Sequence, residues 1–234
     1  MSTRLAVLAS GRGSNLRALH EYLAQDARDT LAHIALVLSD HSDAGALAFA
    51  RSHDIAAKAI DGGTVGGDVL RAQLSSHRID LVVLAGYMRL IPEVVVNAHR
   101  GRILNVHPAL LPAFGGRGMY GLRVHAAVIA AGARVSGATV HFVDERYDHG
   151  AIIAQWPVPV LSGDTPQALA ARVLRVEHAL FPPAVLAVAQ SRISLDASGR
   201  ATHMHLPRLD DAAFVLDSLD DAALRKAIGI ALSA

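Results

Sequence analysis

The sequence predicts an α/β fold: a mostly parallel, twisted sheet with helices on both faces. Three observations predict it. Short apolar runs recur without alternation, as strands buried on both faces require. Helix-patterned segments fall between them, so strand and helix signals alternate up to about residue 107 and imply right-handed crossovers. The core must also be aliphatic, because 52% of the residues are hydrophobic and only 4% aromatic.

Taken in order, Arg4–Ala9 is the first strand, closed by Ser10-Gly11-Arg12-Gly13-Ser14, and a helix starts near Asn15 with Leu16, Leu19 and Leu23 on one face. Ile34–Leu38 is the second strand, Ala44–His53 a helix and Ile55–Ile60 the third strand. Gly62–Gly67 reads as a loop, Asp68–His77 as a helix and Leu81–Ala85 as the clearest buried strand, ended by Gly86. Pro92 suits the first turn of a helix over Glu93–His99, since its missing N–H is not needed there. Ile103–Val106 is a strand ended by His107-Pro108. Pro108–Gly121, with two prolines and four glycines, cannot be regular, and long connections in compact domains are usually functional. A helix over Leu122–Ala131 follows, then strands Ala138–Val143 and Ile152–Val160 about the polar turn Asp144–Gly150. Thr165–Gln190 is a long helix capped by Asp164 or Thr165. Ile193–Leu195 and Ala201–His205 flank a hairpin turn, and an amphipathic helix pattern follows Pro207. Without repeats or low-complexity linkers, one domain over 1–206 is expected, with a helical tail over 207–234 packed on it.

Composition narrows the function. The 234 residues carry 22 basic and 21 acidic side chains, a formal charge of +1 that gives no long-range field for nucleic acid or an anionic membrane. With no cysteine, disulfides, thiolate nucleophiles and Cys-zinc sites are excluded. No apolar run approaches the roughly 18 to 20 residues of a spanning helix, and no signal peptide is evident, so a cytoplasmic protein is expected.

Four segments could carry chemistry. Ser10–Asn15 lies between a strand and a helix, where glycines admit an anion and the helix start favours phosphate. The same residues would equally serve as a tight turn with a helix cap. Leu16 stands where a dinucleotide fingerprint needs its third glycine. In Asn105-Val106-His107-Pro108, residues two apart in extended chain share a side. Asn105 and His107 therefore project together from a strand end, the place where open α/β sheets bind ligands. An amide donor beside an imidazole suits a reaction that develops an oxyanion and protonates a leaving group. A capping Asn and a structural His are the plain alternative among 13 histidines. The turn Asp144–Gly150 holds three acids, Asp144, Glu145 and Asp148, any of which could reach His107. His141 and Asp144 lack further ligands at convincing spacing, so no metal is expected. Charged residues on such a helix almost always face solvent, but Glu177, amid Val173, Val176 and Leu180, could instead face a polar pocket.

Together these segments resemble the folate-dependent formyltransferase family, in the branch that formylates glycinamide ribonucleotide. The resemblance is carried by Ser-Gly-Arg-Gly-Ser-Asn at 10–15, Leu-Ala-Gly-Tyr-Met-Arg-Leu at 84–90 and Asn-Val-His-Pro-Ala-Leu-Leu-Pro at 105–112. It continues through Gly-Ala-Thr-Val-His-Phe-Val at 137–143, Asp-His-Gly at 148–150 and Arg-Val-Leu-Arg-Val-Glu-His at 172–178. It implies a Rossmann-like formyltransferase fold with partly antiparallel C-terminal strands, and 10-formyltetrahydrofolate as formyl donor in de novo purine biosynthesis. It implies that Asn105, His107 and Asp148 are catalytic. Gly13, Ser14 and Asn15, with Leu174, Arg175, Val176 and Glu177, would bind the ribonucleotide. Met88, Arg89, Leu90, Ile91, Asn105, Val143, Asp144 and Asp148 would bind the folate. The implied partners are small molecules, with no nucleic acid and no membrane.

Three features depart from the family pattern. The loop 62–67 offers no basic residue for the folate tail, and Arg71 does not match that position. The loop 114–121 is longer than in several members, and His149 replaces a small residue. A formyltetrahydrofolate hydrolase would share Asn105, His107 and Asp148, but is expected to lack the phosphate loop and to carry an N-terminal regulatory domain. A transfer-RNA formyltransferase would add a C-terminal RNA-binding domain. A non-catalytic nucleotide-binding module would leave the Asn, His and Asp idle.

Overall fold

The computed structural model describes residues 2–25, 27–60 and 67–203. Its main sheet has seven strands in the order β3 (Ala56–Ala59), β2 (Ala32–Ser39), β1 (Thr3–Leu8), β4 (Leu81–Leu84), β5 (Ile103–His107), β6 (Val135–Phe142) and β7 (Ile152–Pro159), parallel except for an antiparallel end, as the apolar runs predict. The chain forms two compact units, one over Met1–Asn105 with Val143–Glu145, the other over Val106–Phe142 with Arg146–Ala234.

The first unit contains β1 (Thr3–Leu8), α1 (Ser14–Leu23), β2 (Ala32–Ser39), α2 (Gly45–Ser52), β3 (Ala56–Ala59), α3 (Gly67–Ser76), β4 (Leu81–Leu84) and α4 (Glu93–Ala98). Strand β5 (Ile103–His107) starts in it. Leu5–Ala9 and Leu81–Ala85 are buried throughout, because both sheet faces are covered. On one face Ala6, Leu8, Leu36, Leu38, Val82 and Leu84 join Leu70 and Leu74 of α3 and Val95 and Val96 of α4. Helices α1 and α2 lie against β2. The strand order reverses between β1 and β4, which are parallel neighbours, and this makes their carboxyl ends a topological switch point.

The second unit contains α5 (Leu122–Ala130), β6 (Val135–Phe142), β7 (Ile152–Pro159), α6 (Pro166–Ala189) and a small hairpin of β8 (Ile193–Leu195) and β9 (Ala201–His203). Helix α6 covers β6 and β7 and runs through Pro182 and Pro183. An interior proline costs about 3 kcal/mol. Complete burial of Leu180, Phe181, Ala184 and Val185 offsets that cost.

The structure departs from the sequence reading at a few ends. Residues Arg28–Thr30 form an unforeseen 3-10 turn. Pro92 precedes α4 as its cap instead of entering the first turn, since its ψ of 139° is extended. Thr165, not Asp164, caps α6, with its hydroxyl accepting from the Ala168 N–H at 3.1 Å. Asp164 is committed to Arg172 through contacts of 2.8 and 2.9 Å. The loop over 62–66 and the tail after Pro207 lie outside the described residues.

Candidate active site

Strand β5 delivers the imidazole that the sequence singled out. Its extended backbone puts Asn105 and His107 on one side. His107 is only 3% exposed. Its Nε2 lies 2.9 Å from the Phe114 carbonyl oxygen, so that nitrogen carries a proton and donates. Its Nδ1 faces Asp148 Oδ2 at 3.5 Å. With Nε2 occupied, Nδ1 bears a proton only in the imidazolium. The carboxylate thus faces the ring nitrogen that the Phe114 contact leaves open.

Of the three acids in the turn after β6, Asp148 is the one beside His107. Its φ of +54° is the left-handed conformation that Asp tolerates better than most residues, and it turns the side chain inward. The carboxylate is 11% exposed, whereas Glu145 is exposed to solvent. Oδ2 also accepts the Gly116 N–H at 2.9 Å, and Oδ1 lies 3.7 Å from His141 Nε2. His141 is buried on β6, and its Nδ1 donates to the Phe142 carbonyl at 2.7 Å. His149 is exposed, with its ring against the Arg146 guanidinium. The sequence reading missed the roles of Phe114, Gly116 and His141. The first two act through backbone atoms, which carry no residue-type signal. His141 sits within an apolar strand run, and the carboxylate beside it lies seven positions further on, beyond the reach of any spacing rule.

One further histidine borders this pair. His125, on α5, is 3% exposed, and its Nδ1 has no hydrogen-bond partner. Burial, helped by the charge of His107, pushes its pKa down to about 4. It is therefore a neutral neighbour at physiological pH.

Within the first unit, the loop after β1 has the form of an anion cradle. Gly13 caps α1 with a φ of +77°, and a Cβ there would lie 3.0 Å from both Cα and Cβ of Ala46. Only glycine fits both the backbone and the space. Ser14 and Asn15 open the helix, no acid stands in its first turn, and Asn15 is 7% exposed. The loop after β4, which holds Met88–Ile91, is tied to it. The Ser10 N–H donates to the Gly86 carbonyl at 3.1 Å, and its hydroxyl accepts from the Met88 N–H at 3.0 Å. Arg89 donates through Nε to Asp40 at 2.9 Å. Burial would raise Asp40, but hydrogen bonds from Ser10 and Arg89 hold its carboxyl below its ordinary value. Burial and then the Asp40 charge push Tyr87 up to about 12.

The remaining candidates divide by exposure. Met88, Arg89 and Leu90 are exposed, whereas Ile91 is packed in the core and offers only its backbone. Val143 pairs through its N–H with the Ile103 carbonyl at 2.9 Å, and Asp144 beside it is half-buried. On α6, Val176 is wholly buried and Glu177 is 7% exposed, as expected for an acid turned away from solvent. Leu174 and Arg175 are half-buried.

An amide and an imidazole at a strand end, with a carboxylate behind the imidazole, suit acyl-group transfer on an α/β scaffold. Residues 3–185 match the family described as formyl transferase. The chain is 44% identical over 202 residues to the chloroplastic phosphoribosylglycinamide formyltransferase of Arabidopsis thaliana, covering 84% of this chain and 68% of that protein. It is 38% identical over 202 residues to the trifunctional purine biosynthetic protein adenosine-3 of Bos taurus, covering 84% of this chain but only 19% of that protein. The phosphoribosylglycinamide formyltransferase structure from Anaplasma phagocytophilum superposes with a TM-score of 0.79 at 35% identity, over 89% of this chain and 98% of that one. A formyltetrahydrofolate deformylase from Pseudomonas syringae reaches 0.75 at 25% identity, over 88% of this chain and 67% of that one. The chain belongs to the folate-dependent formyl transferase family and, within it, to the phosphoribosylglycinamide formyltransferases.

Proposed function

We propose that this chain transfers the formyl group of 10-formyltetrahydrofolate to the amine of glycinamide ribonucleotide, a step of de novo purine biosynthesis. One observation carries the chemistry: His107 is held between the Phe114 carbonyl and the Asp148 carboxylate, two residues after Asn105 on one strand. The sequence likeness to phosphoribosylglycinamide formyltransferases supports the choice of substrate. The family match over 3–185 runs through both units, which supports reading 1–206 as one catalytic domain. Among the described residues no helix is long and apolar enough to cross a membrane. A cytoplasmic location and small-molecule partners, without nucleic acid, complete the proposal.

The donor set suits formylfolate. Exposed Met88 and Leu90 offer apolar surface to a flat ring system, and half-buried Asp144 offers a polar group beside it. When bound, the folate supplies an activated formyl group on a nitrogen leaving group. The ribonucleotide phosphate sits on Gly13, Ser14 and Asn15, and Glu177 with its helix neighbours receives the ribose and amine end. The Asn105 amide donates to the formyl oxygen as it gains negative charge, joined by a His107 N–H released from the Phe114 carbonyl. The amine adds to the formyl carbon and the carbon–N10 bond breaks; N10 takes a proton from His107 as it departs, and the proton that the amine gives up returns to the ring. Asp148 keeps the ring oriented.

The principal rival is hydrolysis, with water in place of the amine. Purified protein is mixed with 10-formyltetrahydrofolate, with and without glycinamide ribonucleotide, and deformylated folate is followed by absorbance. Transfer requires release only when the ribonucleotide is present. Equal release without it makes the protein a hydrolase, and no release in either case makes it a binding module.

A further inference from the structure

We infer that Thr139, a residue without a role in the reading above, is a positioning residue for His107 and Asp148, acting through the chain segment 109–116. The inference rests on that reading of the two residues. Thr139 is on β6 and is fully buried. A threonine hydroxyl has one proton to give and two lone pairs to receive with. All three are used here. The hydroxyl donates to the Ala109 carbonyl at 2.6 Å and accepts from the Leu111 N–H at 3.0 Å. Its second lone pair accepts from Gln155 Nε2 at 3.0 Å, and the same amide nitrogen donates to the Leu111 carbonyl at 2.8 Å.

Two side chains thus satisfy three backbone groups of the segment that leaves His107. That segment needs them. Strand β5 ends at His107, and Ala109 and Leu111 remain buried without a strand partner, where backbone groups must still be paired. From this anchor the segment reaches both functional side chains. The Leu111 side chain lies against Gly115, where an added Cβ would stand 2.5 Å from Leu111 Cδ2 and 3.2 Å from Asp148 Cβ. The neighbours of Gly115 then do the holding, Phe114 through its carbonyl on His107 Nε2 and Gly116 through its N–H on Asp148 Oδ2. Nothing else in the contact pattern of Thr139 serves a ligand; its hydroxyl faces backbone and Gln155 only. A shift of Ala109–Leu111 therefore moves the imidazole and its acid together.

Thr139→Val keeps the shape and the branched Cβ on the strand and removes only the hydroxyl. Thr139→Ser keeps the hydroxyl and removes a methyl group. The expected result is a fall in kcat of about tenfold to a hundredfold for Thr139→Val with KM for both substrates nearly unchanged, as for misplacement of a reacting group. Thr139→Ser should restore most of the turnover. The ring-nitrogen NMR resonances of His107 should move in Thr139→Val and return in Thr139→Ser. Should Thr139→Val not fold, Gln155→Met, which strips the second clamp while filling similar space, carries the same two readouts. A folded Thr139→Val or Gln155→Met protein with unchanged kcat and unchanged His107 resonances overturns the inference. Equal loss in Thr139→Val and Thr139→Ser overturns it as well, because the hydroxyl would then be immaterial. His107→Ala separates the two levels: if that variant keeps its turnover, the catalytic reading falls, while the resonances still report whether Thr139 positions the ring.

Discussion

Asp148 reaches His107 on the ring nitrogen opposite the one that Phe114 occupies, at 3.5 Å against 2.9 Å. The imidazole is thus gripped at both nitrogens by two different partners, a carbonyl and a carboxylate that together fix its orientation. The carboxylate is itself held, by the Gly116 N–H on one oxygen and the His141 ring beside the other. Asp148→Asn is a clean test, because asparagine tolerates the left-handed backbone that this position requires. Turnover at pH 7 should fall by about tenfold to a hundredfold, the scale seen when the partner of a functional histidine is lost. Glu145→Gln, at an exposed turn position, should leave turnover unchanged. Turnover of both variants, with folding followed by circular dichroism, decides it. A larger loss from Glu145→Gln would show that the wrong acid has been chosen.

In the proposed mechanism Asn105 and His107 carry the larger share of the chemistry. His107→Ala should lower turnover by at least about a hundredfold, the lower end for losing a general acid. Asn105→Ala should cost about a hundredfold to a thousandfold, as for one donor to a developing oxyanion. Steady-state kinetics with both substrates saturating measures each. Wild-type kcat in a folded His107→Ala protein would remove the imidazole from the mechanism.

The sequence exposed this pair because a strand has a period of two and the apolar run marks where it ends. The parallel sheet was legible for the same reason, since strands buried on both faces read as uninterrupted Val, Leu and Ala. The choice among Asp144, Glu145 and Asp148 was not legible from composition. It depends on one left-handed backbone angle at Asp148, and only the family resemblance pointed to it. The contacts of Phe114 and Gly116 could not be read at all, since backbone groups look alike in every residue. Thr139 and Gln155 had no signal of their own: a buried Thr and a half-buried Gln on neighbouring strands are ordinary, and their partners lie 30 and 44 positions away.

The loop at 13–15 yields a prediction with two arms. Ser14→Ala combined with Asn15→Ala should weaken the ribonucleotide and leave folate binding nearly unchanged. Gly13→Ala should also destabilise the fold, by about 1–2 kcal/mol for the left-handed backbone alone, with further crowding against Ala46. Calorimetric titration with each ligand, and urea unfolding for Gly13→Ala, separate the effects. Equal weakening of both ligands by the double substitution would indicate general damage in place of phosphate recognition.

His125 ties stability to pH. Its ordinary value of 6.5 is lowered to about 4 in the folded protein, by burial first and by the His107 charge second. Between those two values the unfolded chain takes up a proton at this residue and the folded protein does not. Acid therefore favours unfolding across that window, and the contribution is fully recovered above about pH 6.5. From pH 7.5 down to pH 5.0 this one group should remove up to about 2 kcal/mol of stability. His125→Leu puts an apolar side chain in the same buried position and abolishes the term. Urea unfolding of both proteins at the two pH values tests this. His20 and His99, also lowered by burial, are present in both and cancel in the comparison. The variant should lose less stability than the parent on acidification. Parallel losses in the two proteins would mean that His125 takes up its proton in the folded state as readily as in the unfolded chain, and that it is not the neutral neighbour of His107 described above.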